Sequence, residues 1–167
     1  MTHPLSARLL SLSLEGLDAL DGEDLIAFAR EDERPLQGLA GLVDWRACGK
    51  LTRMLKAGDF SGAPGEAVIT LPAGSLRIRR LFLMGEGMGL EGALRRVRLA
   101  GGDRVALAAA GPLEAALRAG HTVGLDSVTL LDPDPRGAEQ RFEAALRSLP
   151  WLRRAGPKAE AGTKRTA

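Results

Sequence analysis

Apolar residues in this chain come in short runs set between glycine, proline and charged residues, and the runs keep two different periods. Leu9, Leu10, Leu12 and Leu14 interleave with Ser11 and Ser13, a period near two that predicts a strand over 8–14. Leu17 to Gly22 reads as a connection. Asp24-Leu25-Ile26-Ala27-Phe28-Ala29 is an acid followed by unbroken apolar residues, the pattern of a strand covered on both faces. Arg30 to Pro35 predicts a charged loop. Leu36, Leu39, Leu42 and Val43 then recur at helical spacing. A second helical stripe of Cys48, Leu51, Met54 and Leu55 stops at Gly58.

The second half repeats the alternation. Glu66 to Leu71 predicts a strand ending at Pro72, and Ala73-Gly74-Ser75 a tight turn into a strand over 76–84. Two strands joined so closely must pair antiparallel. Gly85 to Gly89 is a glycine loop, followed by a helical stripe of Leu90, Leu94 and Val97 that Gly101-Gly102 ends. Val105–Ala108 and Val128–Leu131 predict strands. Leu113, Ala116 and Leu117 predict a helix between them. Asp132-Pro133-Asp134-Pro135 predicts a turn, and Phe142, Ala145, Leu146 and Leu149 a last helix, whose stripe Trp151 and Leu152 extend. Strands alternating with helices predict a three-layer α/β/α domain with a mixed, mostly parallel sheet.

Length and composition narrow this picture. At 167 residues the chain suits one domain, and 45% hydrophobic with 26% charged residues excludes a wholly disordered, collagenous or coiled-coil chain. One cysteine, Cys48, excludes an internal disulfide and suits a reducing compartment, so a cytoplasmic protein is expected. No apolar run reaches the roughly 18 residues of a membrane helix. The absence of Asn and Tyr with abundant Arg points to a GC-rich, bacterial gene. Net charge is +2, yet Arg153, Arg154, Lys158, Lys164 and Arg165 face only Glu160 at the C-terminal end, which leaves the preceding chain acidic overall. A domain over 1–152 and a basic, disordered tail over 153–167 are therefore expected. Nucleic acid is not an expected partner, because no aromatic residues interleave with the arginines at 77–80 and 95–98.

Candidate chemistry is sparse. His3 and His121 stand alone, and no pair of cysteines and no H-E-x-x-H accompanies them, so no metal site is expected. There is no G-x-S-x-G nucleophile elbow. Gly49-Lys50-Leu51-Thr52 lacks the leading Gly and the Ser/Thr of a phosphate loop, and Asp132 with Asp134 reads as a turn. Two features bear on a ligand. The loop Gly85-Glu86-Gly87-Met88-Gly89 lies between a strand and a helix, where backbone N–H groups either cradle a phosphate or simply make a tight turn. Asp24 opens its strand, either as a capping residue or as a ligand contact.

Several segments together resemble the N-terminal domain of the leucyl aminopeptidase family. Gly58-Asp59-Phe60-Ser61-Gly62-Ala63-Pro64-Gly65-Glu66 is similar to its "G-D-F-x-G-x-x-G-E" stretch. Gly49 with Leu51 and Leu55 is similar to its glycine-bearing helix, and Leu81-Phe82-Leu83-Met84-Gly85-Glu86-Gly87 to its strand and glycine loop. Ala115 to Val123 followed by Val128 to Leu131 completes a match over residues 8–149. The resemblance implies a macro-domain-like fold. In that family the two-metal chemistry belongs to a separate C-terminal domain, whose ligands have no counterparts here, so no cofactor and no catalysis are expected. It implies a stand-alone binding or assembly module, with a separately made aminopeptidase catalytic subunit or a second copy as partner. The alternative is a macro-type nucleotide or ADP-ribose binder. Asp24-Leu25-Ile26-Ala27 is similar to the macro-domain strand whose Asp contacts adenine, and the candidate ligand residues are Asp24, Gly85, Gly87 and Gly89.

Overall fold

The most continuously apolar runs become the middle of a single sheet. β2 (Asp24–Ala29), β4 (Arg80–Gly85), β5 (Arg104–Ala108) and β6 (Ser127–Asp132) are each buried along most of their length. With β1 (Leu5–Ser11), β3 (Ala67–Thr70) and β7 (Leu152–Arg154) they stand in the order β3-β4-β2-β5-β6-β1-β7. Only β3, at one edge, runs antiparallel to its neighbour. The computed structural model describes residues 4–134 and 136–156.

Successive strand residues point to opposite faces, and this period of two divides the core. Ile26, Phe82, Met84, Leu107 and Leu130 face α4 (Leu90–Leu99), α5 (Leu113–Val123) and α6 (Ala138–Ser148). Leu25, Ala27, Leu83, Ala106 and Leu131 face α1 (Leu14–Asp18), α2 (Gly38–Arg46) and α3 (Lys50–Ala57). The result is the three-layer α/β/α domain with a mixed, mostly parallel sheet that the sequence pattern predicts. Phe82 and Phe142 anchor one core and Phe60 the other; each is buried to within 2% of its surface, worth about 1.5–3 kcal/mol apiece. Among the described residues no helix is long and apolar enough to cross a membrane.

Four expectations change. The first strand spans 5–11 rather than 8–14, because Ser13 accepts a hydrogen bond from Gly16 N and caps α1. Residues 14–18 are therefore a helical turn and not part of a strand or a connection. Gly16 is needed there, since a Cβ would lie 1.9 Å from the Ser11 carbonyl. Leu76 and Ile78 are buried as their alternation implies, yet residues 76–79 are not a strand. Gly22 N donates to Arg77 O and Arg79 N to Glu23 O, so the segment is tied to the chain just before β2 and only Arg80 onward joins the sheet. The link from β3 to β4 is accordingly longer than a tight turn.

The last change concerns the C-terminal boundary. Leu152–Arg154 is an edge strand parallel to β1, and Ala155 N donates to Ala7 O at 2.7 Å. Arg153 and Arg154 thus belong to the sheet, with Arg154 pairing to Glu139 and Glu143 of α6 and lying over the Phe142 ring. Trp151 is half-buried, its ring stacked on His121 at 3.9 Å. The rest of the expected tail, 157–167, lies outside the described residues.

Candidate functional site

The carboxyl ends of β2, β4 and β5 open into a cleft of about 490 Å³. Open parallel sheets present such a crevice where neighbouring strands send their connections to opposite faces. Here β4 leads into α4 on one face and β2 into α2 on the other. Ile26, Phe28 and Leu107 form an apolar floor.

Three helices begin at this cleft. Gln37, Gly38 and Leu39 line it at the start of α2, Gly89 and Leu90 at the start of α4, and Ala110 and Ala116 flank the start of α5. None of the three has a side-chain cap, since the N-cap positions hold Gln37, Gly89 and Pro112. Apart from Ala115 N, which donates to Pro112 O, their first-turn N–H groups have no intrahelical partner, and the three positive dipole ends add at one place. Gly87 at φ +90° and Gly89 at φ +70° take backbone conformations that side-chain-bearing residues rarely adopt. They let the chain turn sharply from β4 into α4.

The rim carries charges of both signs. Arg30 Nε lies 3.7 Å from Glu86 Oε1 across the mouth, and Glu33 accepts from Arg30 N. Behind the rim, the Gly58–Glu66 motif has a structural role. The Glu66 carboxylate gathers Ser61 N, Ser61 Oγ, Gly62 N and Ala63 N at 2.7–3.3 Å. The Ser61 hydroxyl, then those backbone donors, hold its carboxyl below the ordinary value of 4.5. The loop so formed wedges between strand ends. A Cβ on Gly62 would lie 2.7 Å from the Arg30 backbone, and one on Gly85 1.9 Å from Ala63 O.

The four sequence candidates are not brought together. Gly87 and Gly89 line the cleft, and Gly85 is buried beneath it against the 61–66 loop. Asp24 is elsewhere: it is the first residue of β2, about 16 Å from the strand's carboxyl end. It is 1% exposed and gripped by Arg80, with Nε to Oδ1 at 2.9 Å and Nη2 to Oδ2 at 2.6 Å. That pairing removes it from any ligand contact in the cleft. Sequence reading missed the floor residues, whose apolar character marks them only as core. It also missed the three uncapped helix starts, although the lack of Ser, Thr, Asp or Asn at 37, 89 and 112 was legible. Among the described residues no group of three His, Cys, Asp or Glu side chains is placed to hold a metal.

No family model and no curated protein matches this sequence. Solved structures do. The chain is similar to an Oceanobacillus iheyensis macrodomain with MES bound, at 12% identity over 89% of this chain and 93% of that one, with a TM-score of 0.60. It is similar to a mutant of the same macrodomain with ADPR, at 13% identity over 89% and 94%, with a TM-score of 0.62. An alphavirus P23pro-zbd structure matches at 17% identity over 86% of this chain and 24% of that one, with a TM-score of 0.57. At such identities the likeness establishes architecture alone, and the fold of this chain is macrodomain-like.

Proposed function

We propose that this chain binds a nucleotide of the ADP-ribose class in the cleft above β2, β4 and β5. The carrying observation is the convergence of three helix starts without side-chain caps on one apolar-floored crevice. A diphosphate supplies the acceptors that those N–H groups lack, and their dipoles favour its charge. Ile26, Phe28 and Leu107 offer a surface for a base or the face of a ribose. The negative charge of Glu86 on the glycine loop has a counter-charge in Arg30, 3.7 Å away. The likeness to a macrodomain structure with ADPR supports the same reading. The role is binding, with no bond made or broken.

Calorimetry with ADP-ribose tests it. Saturable heat is expected for the wild-type chain, and its loss in Ala110→Trp, which fills the cleft from an exposed position. Gly87→Val should also abolish binding, but its φ of +90° strains any side-chain-bearing residue, so Ala110→Trp is the decisive variant. Silence at millimolar ADP-ribose refutes the proposal.

A second reading keeps the likeness to aminopeptidase N-terminal domains: an assembly module for a separate catalytic subunit or for a second copy. The observation favouring it is the exposure of large apolar residues, with Trp45 at 73% and Leu71 at 70%. These residues border one surface, since Lys50 Nζ donates to Leu71 O and the loop at Gly74 lies against Arg46 and Ala47. Light scattering and co-purification test this reading; a strictly monomeric chain that captures no aminopeptidase subunit refutes it.

A further inference from the structure

The face of the sheet that carries α1, α2 and α3 is not apolar throughout. On β1, β5 and β6 the residues pointing to that face are Ser6 and Arg8, Arg104, and Ser127 and Thr129. Pairing brings Ser6 beside Ser127 and Arg8 beside Thr129, with Arg104 next to Ser127. Further along the same face Leu10, Ala106 and Leu131 pack into the core. The polar residues instead line a pocket of about 180 Å³ near the amino ends of these strands. It lies at the opposite end of the sheet from the cleft.

Hydrogen-bond accounting sets this pocket apart. Thr129 is only 3% exposed, and among the described residues its hydroxyl makes no hydrogen bond, nor do those of the partly exposed Ser6 and Ser127. These hydroxyls open onto the pocket rather than being sealed in the core, since none is a buried atom left without a partner, and three of them side by side are free to meet a ligand. The guanidiniums are also underused. Arg8 makes one hydrogen bond, to Ala19 O, and Arg104 one, to Glu23 Oε1 at 3.5 Å, out of five N–H groups each. Glu23, the acid lining the pocket, is 3% exposed and already engaged by Asp21 N and Arg104. Beyond that engaged acid the lining presents donors from three strands.

We propose that this pocket is a second binding site, for an oxyanion of the phosphate class. A tetrahedral phosphate offers acceptors in several directions, which suits hydroxyl and guanidinium donors arriving from three strands better than a planar carboxylate does. The proposal is independent of the cleft and of what the cleft binds.

The test is calorimetric titration of the full chain with inorganic phosphate at constant ionic strength, with acetate as comparison. Saturable phosphate binding is expected, with acetate at least about tenfold weaker. Thr129→Val preserves shape and removes the hydroxyl. It should weaken phosphate several-fold without lowering the melting temperature. Arg8→Gln should weaken it by about tenfold or more. Ala110→Trp, which blocks the cleft, should leave phosphate affinity unchanged. The proposal is overturned if phosphate shows no saturable binding at tens of millimolar, or if acetate binds equally well. It is also overturned if Thr129→Val and wild type bind alike, or if Ala110→Trp abolishes the signal, which would place the anion in the cleft.

Discussion

Arg80→Met should be among the most destabilising single substitutions in this protein. Arg80 closes a bidentate pair with Asp24, its Nη1 donates to Ala100 O at 2.8 Å, and its guanidinium lies 5.2 Å from the Phe82 ring centre. The hydrogen bond to Asp24 holds its pKa above the ordinary value. Removing it leaves a carboxylate that is 1% exposed, with Arg79 at 3.9 Å as the nearest remaining cation and that side chain half in solvent. Breaking one partner of a buried pair costs about 3–5 kcal/mol. At about 2–4 °C per kcal/mol for a chain of this size, the melting temperature should fall by roughly 6–20 °C. The double variant Asp24→Val/Arg80→Met buries no orphan charge and should lose clearly less than Arg80→Met alone. Urea unfolding followed by circular dichroism gives the four stabilities of the cycle. A loss below about 1 kcal/mol in Arg80→Met, or a double variant worse than either single one, refutes the reasoning. ADP-ribose affinity of the folded double variant should match wild type, because Asp24 sits at the far end of β2 from the cleft.

Glu66→Gln should lower stability at neutral pH. The folded-state pKa of Glu66 is depressed, so its contribution is present above the unfolded value of 4.5 and is lost as pH falls through the lower folded value. Urea midpoints of wild type and variant should therefore converge in acid and stay apart at neutral pH. Gly85→Ala should cost at least about 1–3 kcal/mol, since its Cβ would meet Ala63 O at 1.9 Å; thermal unfolding measures it. A chain ending at Pro150 should melt below one ending at Gly156. It forfeits the burial of Leu152, worth about 1.5–3 kcal/mol, and the pairing of β7 with β1.

Legibility of the sequence followed burial. The apolar runs at 25–29, 81–84 and 105–108, and that at 128–131 broken only by Thr129, are covered by two helical layers and occupy the sheet centre. Where the period of two reported burial without pairing, at Leu76 and Ile78, a strand was expected and none formed. At Leu12 and Leu14 the alternation was real, but Ser13 and Gly16 carry the stronger local instruction, a cap and a close approach. Gly87 and Gly89 announced a turn between β4 and α4. Asp24 misled because an acid before an apolar run looks the same whether it meets a ligand or a distant arginine. Its partner stands 56 positions away and becomes visible only once β2 and β4 are in register. Ser127 and Thr129 alternate on β6, but Ser6 lies on β1 more than a hundred residues earlier and joins them only once the two strands are in register.

The strand order also sets a timetable for synthesis. β2, β3 and β4 all lie within residues 24–85 and can pair soon after they leave the ribosome. β1 emerges before them, yet its neighbours are β6 and β7, the last strands made. At about 5–20 residues per second, roughly 6–23 s separate the emergence of Ser11 from that of Ser127. Through that interval Leu5, Ala7 and Leu9 lie on a segment with both backbone edges unpaired, an open template for pairing with another nascent chain. A chaperone that recognises short apolar segments would find a long-lived target in β1, and would have to release it only when β6 arrives.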